Sequence, residues 1–459
     1  MSPKLRNAWE NVRASLWFVP SLFVLLAVLL AQVLLWLDTT LNTRASLATR
    51  WLEEGNPDSA RAILALLAGS LVTAISIAYS ITIIAIQQTS AQFSPRVLRT
   101  LTANRGNQVV LGTYMGTFVY ALLILRQIRD ETDLGRAFVP PLSITVAMVL
   151  ALLCLALLIY FLHHIAQLLQ VSVIIANVHR DMVAEFDQFF PTSMSTGLAD
   201  PPSDLASEGL PVVGGEVLYL RATSGGFLRA IDDELLVAMS DGRTPWLHVI
   251  PQVGDYVPHL GVLVELPRNT RLGEEQIEGI RGAFVLDVER TISQDPLFGI
   301  RQLVDIALKA LSPAINDPTT AEYCLSRLGD ALGQLCRRPF PSNERVGVIG
   351  GTRYIFNQPS WEEFVDTAFS QVRRQATRDV HVTGHLLHVL YKVAICIPPD
   401  TRAQALRHQL AEIEHNLEHG DFSPGDAAML RREVDLVETA LAEQPDYVTV
   451  PSTSSSVDK

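Results

Sequence analysis

The chain has 459 residues, 48% of them hydrophobic, with 36 Lys and Arg against 48 Asp and Glu, a formal charge of −12. Residues 1–180 net +5 and residues 181–459 net −17. A basic apolar half followed by an acidic half argues against a nucleic-acid partner and for a membrane domain joined to a polar one.

The first apolar run, Ala14 to Leu37, is uncharged. About 20 such residues cross a bilayer core. The run is too long for a signal-peptide core and no small-residue cleavage site follows it, so it reads as a retained span. Trp17 and Trp36 fall at its two interfaces. The second run, Ala62 to Pro95, is also uncharged. The third lies between Arg105 and Arg126, and the fourth from about Val139 to Phe161. No formal charge follows until Arg180.

Basic residues set orientation. Lys4, Arg6 and Arg13 precede the first span, and Arg96, Arg99 and Arg105 follow the second with no acid among them. This places both termini in the cytoplasm. Arg96 and Arg99 lie at the membrane interface, as plain topology anchors or as contacts to lipid phosphate.

No span centre holds Asp, Glu, Lys, Arg or His. That argues against a proton-coupled transporter, which needs an ionisable site in the membrane. It leaves room for a channel lined by hydroxyls and carbonyls. In the second span Gly69, Thr73, Ser76, Ser80 and Gln87 share one helix face. Such a stripe either packs helices together or lines a wet pathway at an oligomer axis, and packing is the commoner use. Gly112 and Gly116 in the third span have the spacing for close helix packing. His163, Gln167, Gln170 and Asn177 form a further stripe, the wetted face of an emerging helix or a pore mouth.

Residues 181–210 read as a linker, rich in Ser, Pro and Gly from Met194 onward. Residues 211–270 read as a small β-barrel-like subdomain: the pieces EVLYL, GFLRAI, PWLHVI and GVLVEL are broken by Gly, Asp and Pro. The ending resembles lipoyl and biotinyl carrier domains, but no lysine lies between Lys4 and Lys309 to carry the group. Residues 271–444 have helical period. Asp295-Pro296, Asp317-Pro318, Ser360 with Glu363, and Ser423-Pro424 are helix starts. Residues 445–459 read as a disordered tail. The expected architecture is four transmembrane helices in residues 1–180, then a cytoplasmic α+β region.

His381, His385 and His388 lie on one helix face, for packing or partial exposure rather than a metal, because three ligands within two turns converge poorly on one ion. Asn316 and Asp317 cap a helix, or organise a subunit contact or ion site. Cys154, Cys324, Cys336 and Cys396 have no metal or redox spacing and fit free thiols. With no catalytic motif in view, the chain reads as a non-enzyme without cofactor or metal.

Two stretches carry a family likeness: SAQFSPRVLRTLTANRGNQVVLGTYMGTFVYALLILR, from Ser90 to Arg126, and DPLFGIRQLVDIALKALSPAINDPTTAEYCLSRL, from Asp295 to Leu328. They resemble bacterial predicted membrane proteins of domain of unknown function family 2254. The resemblance spans the chain to about residue 420. It implies a multi-pass inner-membrane protein and supplies no activity, substrate or site residue. The expected function is a homo-oligomeric channel or passive pathway in the lipid bilayer, gated by the cytoplasmic domain. The alternative is a membrane-anchored scaffold or sensor whose cytoplasmic domain binds a partner.

Overall fold

The computed structural model describes residues 17–41, 57–92, 105–129, 138–168, 170–190, 198–199, 217–292, 295–340, 342–347, 350–398, 402–420 and 422–443. Arg96 and Arg99, most of the expected linker and the tail lie outside them. The chain divides into two units, the second beginning at Ile175.

The first unit holds α1 (Phe18–Leu41), α2 (Pro57–Gln92), α3 (Arg105–Leu125) and α4 (Pro141–Leu168). All four are long and apolar enough to cross a membrane. They form because each is a long, predominantly apolar stretch with no proline beyond its first turn. Much of that apolar surface faces outward: Leu25, Leu29, Val33, Leu66, Leu152 and Ile159 are all more than half exposed. A water-soluble fold does not leave such a surface bare. Trp17 and Trp36 are both 66% exposed, as interfacial aromatics require.

Helix α3 is the most buried of the four and packs on each of the others. Gly112 and Gly116 face α1. A Cβ on Gly112 would come within 3.0 Å of the Phe23 ring, and one on Gly116 within 3.1 Å of the Phe23 carbonyl oxygen. The two glycines therefore let α1 and α3 approach at backbone distance. On the α4 side, Tyr114 donates to the Cys154 carbonyl and Tyr120 to the Ser143 carbonyl, each at 2.9 Å.

The second unit opens with α5 (Val171–Phe189), of which Ile175 onward belongs to it. Residues 181–189 are thus helix, where a linker was expected. A hydrophobic pattern of Ile175, Val178, Met182 and Phe186, all buried, explains why. Strands β1 (Leu198–Ala199), β2 (Val217–Arg221) and β3 (Gly226–Ile231) follow, then α6 (Asp233–Ser240), β4 (Trp246–Val249), β5 (Tyr256–Val257), β6 (Val262–Pro267), α7 (Glu274–Gly282) and β7 (Phe284–Asp287). Next come α8 (Pro296–Ala310), α9 (Pro318–Leu335), β8 (Glu344–Gly347), β9 (Arg353–Phe356), α10 (Trp361–Gln375), α11 (Val380–Ala394), α12 (Ala403–His419) and α13 (Pro424–Glu443). The unit is therefore mixed α and β.

The strands form an open six-stranded sheet, ordered β1-β8-β9-β4-β6-β2, and a three-stranded sheet, β5-β3-β7. Among the described residues neither closes, so the barrel-like expectation for 211–270 is not met. The reason is topological. Strand β9 pairs parallel with β4, and β8 and β1 extend the sheet beyond it, so strands from residues 344–356 enter an expected helical region. Strand β3 leaves the barrel pattern to pair with β5 and β7. The sheet core gathers Leu220, Leu228, Leu247, Val249, Val264 and Tyr354. Each such fully buried apolar side chain contributes roughly 1.5–3 kcal/mol.

The helix starts read from sequence are in place. Asp295, Asp317 and Ser360 each accept from the backbone N–H of the third residue on. Ser423 accepts from the Asp426 N–H at 3.2 Å.

Candidate functional site: the outward stripe of α2 and the docking helix α5

On α2, the residues turned to the bundle are Ala60, Leu64, Ala68, Leu71, Ala78, Thr82 and Ala85, all buried. At 3.6 residues per turn they define one side of the helix. Gly69, Thr73, Ser76, Ser80 and Gln87 fall outside that side, and all are exposed. Nothing lies within 4 Å of a Cβ placed on Gly69. The stripe therefore does not pack against the described helices of its own chain. Two of its hydroxyls turn back on the helix: Thr73 donates to the Gly69 carbonyl at 3.3 Å and Ser76 to the Val72 carbonyl at 2.9 Å. Such back-bonding satisfies each donor while leaving an acceptor on the surface.

The four apolar helices and the sequence motifs agree with one family. A profile described as predicted membrane protein (DUF2254) matches residues 13–392. The chain belongs to this family. It is also 29% identical over 449 residues to uncharacterised proteins of Mycobacterium bovis and Mycobacterium tuberculosis, covering 96% of this chain and 83% of each relative. No solved structure matches. Family membership makes the chain a membrane protein of unknown function, so any role must come from its own geometry.

The stripe His163, Gln167, Gln170 and Asn177 is not continuous. Helix α4 ends at Leu168 and α5 begins at Val171. His163 and Gln167 pair at 3.0 Å on α4, whereas Asn177 on α5 accepts from Arg180 at 3.1 Å.

From Ile175 on, α5 docks within the second unit. Phe186 and Phe190 enter an aromatic cluster with Phe340 and Phe364, at centroid distances of 4.9 to 6.5 Å. Trp361 stacks edge-on to Phe340 at 6.4 Å. Offset and edge-to-face pairs of this kind add to the burial itself. Arg338 grips α5 as well: its guanidinium meets Asp187 at 2.7 Å and lies over the Phe186 ring. His179 meets Asp330 of α9 at 2.8 Å. Burial holds its pKa below the usual imidazole value, and the Asp330 carboxylate opposes that shift. A Cβ on Gly299 of α8 would come within 2.7 Å of Met182. These anchors were not singled out in the sequence. Their signal was present in the 3.6-residue spacing of Ile175, Val178, Met182 and Phe186, obscured by the apolar run that precedes it.

At the start of α8, Asp295 is buried. It accepts from the Phe298 N–H at 3.1 Å and from Arg290 at 2.9 and 2.6 Å. Burial nevertheless raises its pKa to about 6, the arginine offsetting only part of the desolvation.

Asn316 takes a left-handed backbone, φ +49, between α8 and α9, and its side chain is exposed. Asp317 caps α9 through Thr320, whose N–H and hydroxyl donate to it at 3.1 and 2.6 Å. His381 and His388 are exposed, and His385 pairs with the Ser326 hydroxyl at 2.8 Å. Among the described residues no three His, Cys, Asp or Glu side chains converge as metal ligands. Sequence reading missed Asp38. It sits at the end of α1, is buried, and binds the start of α4. The charge that ends the first apolar run was its only signal.

Proposed function

We propose that the protein is a homo-oligomer in a bacterial plasma membrane, in which the α2 stripes of neighbouring copies meet and form a passive pathway. The exposure of Gly69, Thr73, Ser76, Ser80 and Gln87, away from the face that α2 buries, carries this reading. Small and hydroxyl residues in a lipid-facing position are used for close helix contact between chains or for contact with water. The arginines beside the first two spans support cytoplasmic termini. The reading assigns the chain no chemistry and no cofactor.

A sensor reading draws on α5. Helix α4 passes into α5 with only residues 169 and 170 between them, and α5 is held by aromatic anchors in the second unit. A partner or signal acting on that unit would pull on the fourth span through this helix.

The test is the mass of the detergent-purified full chain by light scattering with detergent correction, followed by ion flux in liposomes. Rings of four or more copies with flux that Ser76→Leu abolishes support the pathway. A monomer or simple dimer without flux overturns it and leaves the sensor reading.

A further inference from the structure

In sequence, Cys336 and Cys396 are 60 residues apart. The fold brings them to one place. Cys336 closes α9 as its C-cap residue, and Cys396 lies two residues beyond the end of α11. The two helices pack side by side. The Cys336 thiol approaches the Gly333 carbonyl at 3.1 Å and the Cys396 carbonyl at 3.3 Å. The Cys396 sulfur stands 3.9 Å from a Cβ placed on the same Gly333. Both thiols thus lie beside Gly333, at the paired ends of the two helices.

The surroundings also differ for the two thiols. Cys336 is fully buried, and burial pushes its thiol up to about 12. Cys396 is only half-buried, so a solvent-borne oxidant meets it first. Cations crowd the site. Arg337 donates to the Cys396 carbonyl at 3.3 Å, and the Arg402 guanidinium donates to the carbonyls of Cys336 and Arg338. Arg337 and Arg402 oppose only part of the rise that burial imposes on the Cys336 thiol.

We propose that Cys336 and Cys396 are a modification site that closes to a reversible disulfide under a peroxide-class oxidant. The Cys396 thiolate attacks the peroxide O–O bond, takes one oxygen as a sulfenic acid, and releases the other as water. The Cys336 sulfur loses its proton as it attacks the Cys396 sulfur, and the hydroxyl leaves as a second water. Two thiols and one hydrogen peroxide give one disulfide and two waters. The bond ties the ends of α9 and α11 together. It forms two residues from Arg338, the residue that grips Asp187 and Phe186 of α5. Oxidation would therefore stiffen the place where the helix that follows the fourth span is held. This proposal stands independently of the oligomer reading.

The experiment uses the purified full chain. It is treated with limiting hydrogen peroxide, alkylated, digested and analysed by mass spectrometry without reduction. A cross-linked peptide joining Cys336 to Cys396, lost on adding dithiothreitol, is the expected result. The oxidised protein should also unfold several degrees higher, and Cys396→Ser should abolish both effects. In Cys336→Ala, a smaller side chain in a buried position, Cys396 should instead be trapped as a sulfenic acid by a dimedone probe. The proposal is overturned if both thiols remain alkylatable after oxidation. It is equally overturned if Cys324 or Cys154 cross-links to either at comparable yield.

Discussion

The carboxylate of Asp38, at the end of α1, takes up the start of α4 at Ser143. One oxygen accepts from the Leu142 N–H at 3.1 Å, and the other from the Ser143 N–H at 3.0 Å and the Ser143 hydroxyl at 2.5 Å. An N-cap normally comes from the residue just before its own helix. Here the cap comes from another span, so it fixes two helix ends to each other as well as satisfying orphan donors. Asp38→Ala should lower the stability of the membrane unit by ~1–2 kcal/mol. Asp38→Asn, which keeps one acceptor oxygen, should cost less. The apparent unfolding temperature of the detergent-purified chain measures both. Equal stability of wild type and Asp38→Ala would show that the bond network contributes nothing.

The α1–α3 seam depends on bare backbone at Gly116. Its nearest neighbour is the Phe23 carbonyl oxygen, a backbone atom that cannot rotate away. Gly116→Val should therefore push the helices apart and cost ~1–3 kcal/mol, in the range for overpacking. Gly69→Val should be neutral in a monomer, since nothing faces it. In the proposed oligomer it should lower the mass seen by light scattering. The contrast between the two glycines separates a seam within the chain from one between chains.

Helix α5 should behave as part of the second unit. Phe190→Ala removes a ring buried among Phe340 and Phe364, at a cost of ~3–5 kcal/mol. Hydrogen exchange should then speed up along residues 175–190 before it does in the sheet. Unchanged protection there would mean that α5 is held by other contacts.

What the sequence showed well is what short-range chemistry decides. The spans follow from uncharged runs, and the starts of α8, α9 and α10 from Asp or Ser caps whose partners lie three residues on. What it hid is what distant pairing decides. Strand β9 joins β4 from far along the chain, so the barrel pattern of 211–270 could not reveal an open sheet. The stripe on α2 was visible, but its direction was not. Only the burial of Ala68, Leu71 and Ala78 on the other face shows that it points away from the bundle. Asp38 and the Cys336–Cys396 pair are invisible for the same reason: their partners lie 104 residues away in one case and 60 in the other.

The pair of Arg290 and Asp295 gives a prediction with a definite sign. Burial raises the Asp295 carboxyl to about 6 in the folded chain, whereas an unfolded carboxyl titrates near its ordinary value of ~3.9. The folded state therefore binds this proton more tightly than the unfolded state. Its contribution to stability is complete below about pH 4 and is lost as pH rises through about 6. The gap between the folded and unfolded titrations corresponds to ~3 kcal/mol. The Asp295→Asn variant cannot ionise and keeps an oxygen to cap Phe298, so it lacks this dependence. Its absolute stability should be lower, because Arg290 is left largely buried without its carboxylate. The gap between wild type and Asp295→Asn should nonetheless narrow from pH 4 to pH 7, because only the wild type loses stability through this group. Apparent unfolding temperatures of both proteins across that range decide it. A difference that stays constant with pH would mean that Arg290 fully offsets the burial and leaves the Asp295 carboxyl at its ordinary value.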